Sequence, residues 1–279
     1  DTADFSIEPA AAQSYDISED GLLYTFRLRG DAKWSNGADV TAHDFQYSWM
    51  RLLTPDTSSD YSSFFFTIRG AQSFWNWRTG QLQNNEACSL EELEQMFRNV
   101  VGIRVVNNRT ITIELEHPVP YFLDQLALAV CSPVYKPAVE GWDTTGDEYK
   151  EALKLGWRNC TPPPMHSRRW VEIDETTGRI KQKYFWARPG SIISNGPFVL
   201  DQWRYKRDMW LVRNPHYHSP ECTTLDSIQA ITITDPNTAV LAFEGGQMDW
   251  LSSVNVDYQA DMLFQKQEGI RTNIHAFPT

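Results

Sequence analysis

What the sequence lacks narrows its function before any motif is read. No apolar run approaches the ~20 residues of a membrane-spanning helix. The start shows no basic, apolar, small-residue succession, so no signal peptide is read there; a mature exported protein has the same start. Positive charge is in short supply, with 25 Lys and Arg against 36 Asp and Glu and a net charge of −11. Phosphate contacts need clustered cations, so no nucleic-acid partner is expected. The nearest basic cluster, His166, Arg168 and Arg169 beside Trp170, reads as a solvated loop. Cysteine is scarce too: Cys88, Cys131, Cys160 and Cys222 lie far apart, with no Cys-x-x-Cys, which excludes zinc-ribbon and thioredoxin-like arrangements. Their even number permits two disulfides, as an oxidising compartment would favour, and leaves four free buried thiols open as well.

Catalytic signatures are also missing. There is no Gly-x-Ser-x-Gly elbow, Walker loop or Gly-x-Gly-x-x-Gly, so acyl transfer at such an elbow and both phosphate cradles lose their basis. His43-Asp44 sits where a helix should begin, and a helix start already accounts for an aspartate. His216-Tyr217-His218 with Cys222 has metal-ligating residue types, but Asn214-Pro215 ahead of it marks a turn and a fourth ligand is missing. No enzyme, metal or cofactor is expected.

What is present is a chain of 279 residues, 41% hydrophobic, large enough for one large domain or two smaller ones. Its mean hydropathy of −0.47 suits a soluble globular protein. Aromatic residues make up 13% of it, with runs such as Phe64-Phe65-Phe66 and Phe74-Trp75-Asn76-Trp77 that no single core face explains. Packing should absorb most of them and leave a few to line a ligand.

Alternation predicts strands over 23–29, 111–116, 196–203, 209–213 and 228–234. Thr41 with Asp44, and Ser89 with Glu92, predict capped helix starts. A short helix is expected over 121–128, and another from Asp235-Pro236 to Gly245-Gly246. Residues 141–193, with Pro162-Pro163-Pro164 and the turn Asp174-Glu175-Thr176-Thr177-Gly178, read as a long excursion carrying a hairpin from about Trp170 to Trp186. Strands and helices interleave without a strict βαβ rhythm, so the fold class is mixed α/β, α+β in character.

An ordered string of motifs then carries a resemblance. Tyr24-Thr25-Phe26-Arg27-Leu28-Arg29, Lys33-Trp34-Ser35-Asn36-Gly37, Thr41-Ala42-His43-Asp44-Phe45 and Tyr47-Ser48-Trp49 are followed by Pro118-Val119-Pro120-Tyr121-Phe122. Ser132-Pro133-Val134, Ser194-Asn195-Gly196-Pro197-Phe198, Arg213-Asn214-Pro215 and Gly246-Gln247-Met248-Asp249 complete the string. Together they resemble the family 5 extracellular solute-binding proteins, above all the oligopeptide-binding members.

The resemblance implies a type II periplasmic-binding-protein-like lobe with mixed sheets and an inserted hairpin. It places residues 1–279 as the N-terminal lobe region of a two-lobe protein, with 141–193 inserted and the second lobe absent. It implies a peptide or another small solute as ligand, an ABC importer permease as membrane partner, and a periplasmic or extracellular location, lipid-anchored or free. By the same resemblance Tyr61 faces the peptide, and Ser252 and Ser253 fall on the cleft lining. Trp34, Asn36 and Gly37 are assigned to folding. The alternatives are the same fold binding an oligosaccharide, nickel chelate or opine, and a carboxylate-dependent glycan hydrolase.

Overall fold

Three antiparallel partnerships around the central strands organise the first half of the chain. In the computed structural model, which describes residues 7–142, 171–252, 254 and 256–267, strands β1 (Ala12–Ile17), β2 (Leu23–Leu28), β3 (Ile103–Asn107) and β4 (Thr110–Glu114) form one sheet. Their order is β1-β2-β4-β3, and every pairing is antiparallel. The α+β class is therefore as expected, but this sheet is not mixed. Each of its pairings joins strands running in opposite directions, as hairpins do, and no crossover helix separates a parallel pair.

The expected alternation sets the register. Tyr24 faces Ile113 and Phe26 faces Ile111 across β2 and β4, while Ile103 and Val105 of β3 face the same two isoleucines. One apolar face results, with Tyr24, Phe26, Leu28, Ile103, Ile111 and Ile113 all buried.

Helices α1 (Ala42–Leu53), α2 (Ala71–Gln83) and α3 (Leu90–Val100) contribute to the same core. At the start of α1, Asp44 Oδ2 accepts from the Thr41 amide at 2.7 Å and from its hydroxyl at 3.0 Å. At α3 the capping box is reciprocal: the Glu92 amide donates to Ser89 Oγ at 3.1 Å and the Ser89 amide to Glu92 Oε2 at 2.8 Å. Helix α1 buries more than one stripe, with Trp49 and Leu52 inside. Tyr47, Ser48, Met50 and Leu53 are buried as well, so the helix is enclosed on more than one side.

Short helices α4 (Phe122–Leu126) and α5 (Lys136–Glu140) follow, then a hairpin of β5 (Val171–Ile173) and β6 (Ile180–Gln182). This hairpin is the one expected inside the excursion. Pro162-Pro163-Pro164, the basic cluster 166–169 and Cys160 lie outside the described residues.

Strands β7 (Phe198–Arg204), β8 (Asp208–Arg213) and β9 (Ser227–Ile231) make a three-stranded sheet in the order β7-β8-β9. The chain divides into two units: residues 1–202 with 211–228, and residues 203–210 with 229–279. In the second unit α6 (Pro236–Glu244) starts at Asp235, whose carboxylate accepts from the Thr238 amide and hydroxyl at 2.7 Å each. Gly245 caps its end, and Gly246 beyond it takes the positive φ of 70° that glycine tolerates best. Helix α7 (Val256–Gln267) completes the unit, with Met262 buried.

Several elements had no clear sequence signal. Helix α2 is the most telling, because its inward positions are Ala71, Phe74 and Arg78. A charged residue completes the buried face, and hydrophobic periodicity counts such a residue as outward-facing.

Candidate functional site

Tyr61 follows directly from the end of α1. Thr54 ends the helix, Pro55–Thr57 forms a 3-10 turn, and Ser58 takes the left-handed conformation at φ 52°. A second 3-10 turn, Ser62–Thr67, begins just after Tyr61. This arrangement accounts for the Phe64-Phe65-Phe66 run: Phe65 is buried, while Phe64 and Phe66 pack part-buried at its edge. Tyr61 itself stays 46% exposed, a high value for an aromatic ring beside a core. Its ring meets Phe64 edge-on, with centroids 5.3 Å apart and planes at 86°, which stiffens it without covering it. The Tyr61 amide donates to Ser59 Oγ at 3.3 Å, and Ser62 Oγ donates to the Leu52 carbonyl at 2.9 Å.

On the other side of Ser58 the chain is held by a buried ion pair. Asp56 accepts from Arg78 Nε at 2.8 Å and Nη2 at 2.7 Å, and both side chains are withdrawn from solvent. A flat ring is thus displayed on a short arch whose two feet are fixed. That geometry can stack on or hydrogen-bond an extended ligand.

The other residues singled out from sequence are placed differently. Ser252 is exposed in the second unit, and Ser253 lies outside the described residues. Trp250, two positions earlier, is 73% exposed and was not singled out from sequence. Only its lack of cover in the fold distinguishes it from a core tryptophan. His43 sits in the first turn of α1, next to Asp44, which is engaged with Thr41. His216 and His218 follow the Asn214 turn: the His216 amide donates to Asn214 Oδ1 at 3.0 Å, and the rings of Tyr217 and His218 lie 4.4 Å apart. Burial lowers the pKa of His218, and the nearby Arg29 cation adds to that shift. Among the described residues no group of three His, Cys, Asp or Glu has the geometry to hold a metal ion.

Motifs far apart in the chain meet at two junctions. The Ser35 amide donates to the Ser194 carbonyl at 2.7 Å, and Asn214 bonds to Gly196 and Pro197 at 2.8 Å each. Trp34 is fully buried, Asn36 Oδ1 accepts from the Ala38 amide at 3.1 Å, and Gly37 has φ 84°. At the second junction Trp49 Nε1 donates to the Cys131 carbonyl at 2.9 Å, and Ser48 Oγ accepts from the Val134 amide at 2.8 Å. At both junctions these residues tie distant segments of the fold together.

The first unit also holds a half-open recess of about 640 Å³. Phe26, Leu28 and Trp49 form part of its lining, with Tyr217 and His218 among its few polar groups.

The family model described as "Bacterial extracellular solute-binding proteins, family 5 Middle" matches residues 6–277. The oligopeptide-binding protein OppA of Bacillus subtilis is 27% identical over 252 residues, 89% of this chain and 35% of that protein. The periplasmic oligopeptide-binding protein OppA of Escherichia coli is 27% identical over 274 residues, 97% of this chain and 39% of that protein. Among solved structures, the substrate-binding domain of an oligopeptide ABC transporter from Bacillus anthracis superposes with a TM-score of 0.60 at 30% identity, over 87% of this chain and 36% of that one. The murein tripeptide binding protein MppA of Escherichia coli gives 0.65 at 25% identity, over 91% and 39%. The chain therefore spans between a third and two fifths of the length of these relatives.

Proposed function

Because the chain belongs to the bacterial extracellular solute-binding proteins, family 5, we propose that it is the N-terminal lobe region of a peptide-binding component of an ABC importer. In this reading it captures peptides outside the cytoplasm and presents them to a membrane permease. The observation that carries it is the family match over residues 6–277, with aligned relatives that are themselves oligopeptide-binding proteins. The chain then contributes one wall of the cleft and does no catalysis.

On that wall Tyr61 is the ligand-facing residue, supported by its exposure and by its edge-on contact with Phe64. Ser252 and Ser253 line the cleft just after Gly246-Gln247-Met248-Asp249. Peptide capture of this kind rests on hydrogen bonds to the ligand backbone, with roomy, water-filled side-chain pockets that tolerate many sequences. Closure of the two lobes around the ligand is the event a permease can read.

Isothermal titration of the protein at its full encoded length, against pools of di- to pentapeptides, tests the proposal. Saturable binding is expected, and Tyr61→Ala should weaken it by about tenfold, the loss of one well-placed aromatic contact. Silence across every pool would refute peptide binding. Unchanged affinity in Tyr61→Ala would remove Tyr61 from the site.

A further inference from the structure

Arg78 is a fully buried arginine with every N–H engaged. Nε and Nη2 hold Asp56 as a fork, Nη2 also reaches the Gly178 carbonyl at 2.6 Å, and Nη1 reaches Gln81 Oε1 at 3.2 Å and the Glu86 carbonyl at 3.3 Å. Asp56 completes the joint from its side, accepting the Ile180 amide through Oδ1 at 2.7 Å. Three segments converge on one carboxylate: the turn after α1, the middle of α2, 22 residues further on, and the β5–β6 hairpin, whose Ile180 is 124 residues from Asp56.

A buried ion pair is weak evidence for stability, because desolvation offsets most of the attraction. Its fork geometry, by contrast, fixes direction. What lies next to Asp56 is the arch that carries Tyr61. Thr57 Oγ1 donates to the Arg51 carbonyl at 2.8 Å, and Ser58 is held in a left-handed conformation that a serine adopts only when its surroundings impose it. The hairpin is braced against the end of the same helix, since Arg51 Nε donates to Gln182 Oε1 at 3.0 Å and the Arg51 guanidinium lies 5.6 Å from the Trp186 ring.

We propose that the Arg78–Asp56 pair, tied to Gly178 and Ile180, is a positioning element through which the hairpin sets the arch presenting Tyr61 to the peptide. The proposal rests on the reading of Tyr61 as a ligand-facing residue. Arg78 and Asp56 touch no ligand in it; they act through Tyr61 alone.

A double-mutant cycle in the full-length protein separates the two ideas. The probes are the di- to pentapeptide pools, titrated against the unmodified protein, Tyr61→Ala, Asp56→Asn, Arg78→Lys and the two double variants that combine Tyr61→Ala with Asp56→Asn or with Arg78→Lys. Asp56→Asn and Arg78→Lys should each weaken binding on the order of tenfold, yet add almost nothing once Tyr61 is gone, as expected for groups acting through one another. Amide exchange over 57–62 should quicken in both variants while the β2 and β4 amides keep their protection. If the losses add in full, or if folded Asp56→Asn and Arg78→Lys bind as the unmodified protein does, the positioning role is wrong. If both variants fail to fold, the pair is a folding requirement and the proposal is equally overturned. If Tyr61→Ala itself binds normally, or no pool binds, the reading beneath it fails first.

Discussion

Gly178 shows how much one backbone position can decide. It sits at φ 66°, and a Cβ placed on it would lie 2.2 Å from the Glu86 carbonyl oxygen, a backbone atom with little room to retreat. Gly178→Ala should therefore combine the ~1–2 kcal/mol left-handed penalty with a steric shift of the whole hairpin turn. A fall in the thermal midpoint with loss of the Arg78–Gly178 contact is the expected outcome, measured by calorimetry and by exchange of the Ile180 amide. A midpoint equal to that of the unmodified protein would contradict it. The turn Asp174-Glu175-Thr176-Thr177-Gly178 was recognisable from its residue types. That its glycine abuts the end of another loop was not, since Glu86 is remote in the chain.

At the scale of elements, the hairpin carries a pH dependence of definite sign. Hydrogen bonding by Lys181, then by the amides of Thr177 and Thr176, lowers the Asp174 carboxyl from its usual value of 3.8 to about 2. A folded-state pKa below the unfolded one means that its contribution is whole above about pH 4 and is lost as pH falls toward 2. Asp174→Asn should narrow the difference in unfolding midpoint from the unmodified protein as pH drops across that window. A difference that stays constant down to pH 2 would count against the assignment. The capping box at α3 works in the same direction, with the Ser89 amide and hydroxyl lowering the pKa of Glu92.

Elements with strong local signals were legible in advance. The alternation in β2 and β4 and the caps of α1 and α3 gave them away, because each signal lies within a few residues of the structure it dictates. Strand β1 and helix α2 were not legible. The residues of β1 are almost all exposed, and α2 turns a charged residue inward. Strand β1 is held by pairing with its neighbour β2 and not by a buried face of its own, while the inward Arg78 of α2 is matched by Asp56 and by Gly178, a hundred residues on.

For the molecule as a whole, the thiols report global integrity. Cys88 and Cys131 are buried free thiols with pKa values pushed up to about 11 by burial, whereas Cys222 is an exposed free thiol. The thiolate is the reacting form. In a Cys160→Ser background, one thiol should therefore label rapidly in the native protein, and the other two should label only as fast as the core opens. Rapid labelling of all three without denaturant would show that the core around α1 and α3 is not closed.

Read alone, the sequence determined the α+β class, the family resemblance and the absence of recognised catalytic cradles. Local periodicity and motif order carry that information without knowledge of contacts. It also named Tyr61 as a candidate, but as a single letter in a polar stretch. Only the tertiary structure decided that this ring stands exposed on an arch pinned by a buried arginine, and that Ser35 bonds to Ser194 while Asn214 bonds to Gly196 and Pro197 at a structural junction. The physical reason is the same for both: burial and hydrogen-bond partnership are set by residues distant in the chain, and only folding brings those residues together.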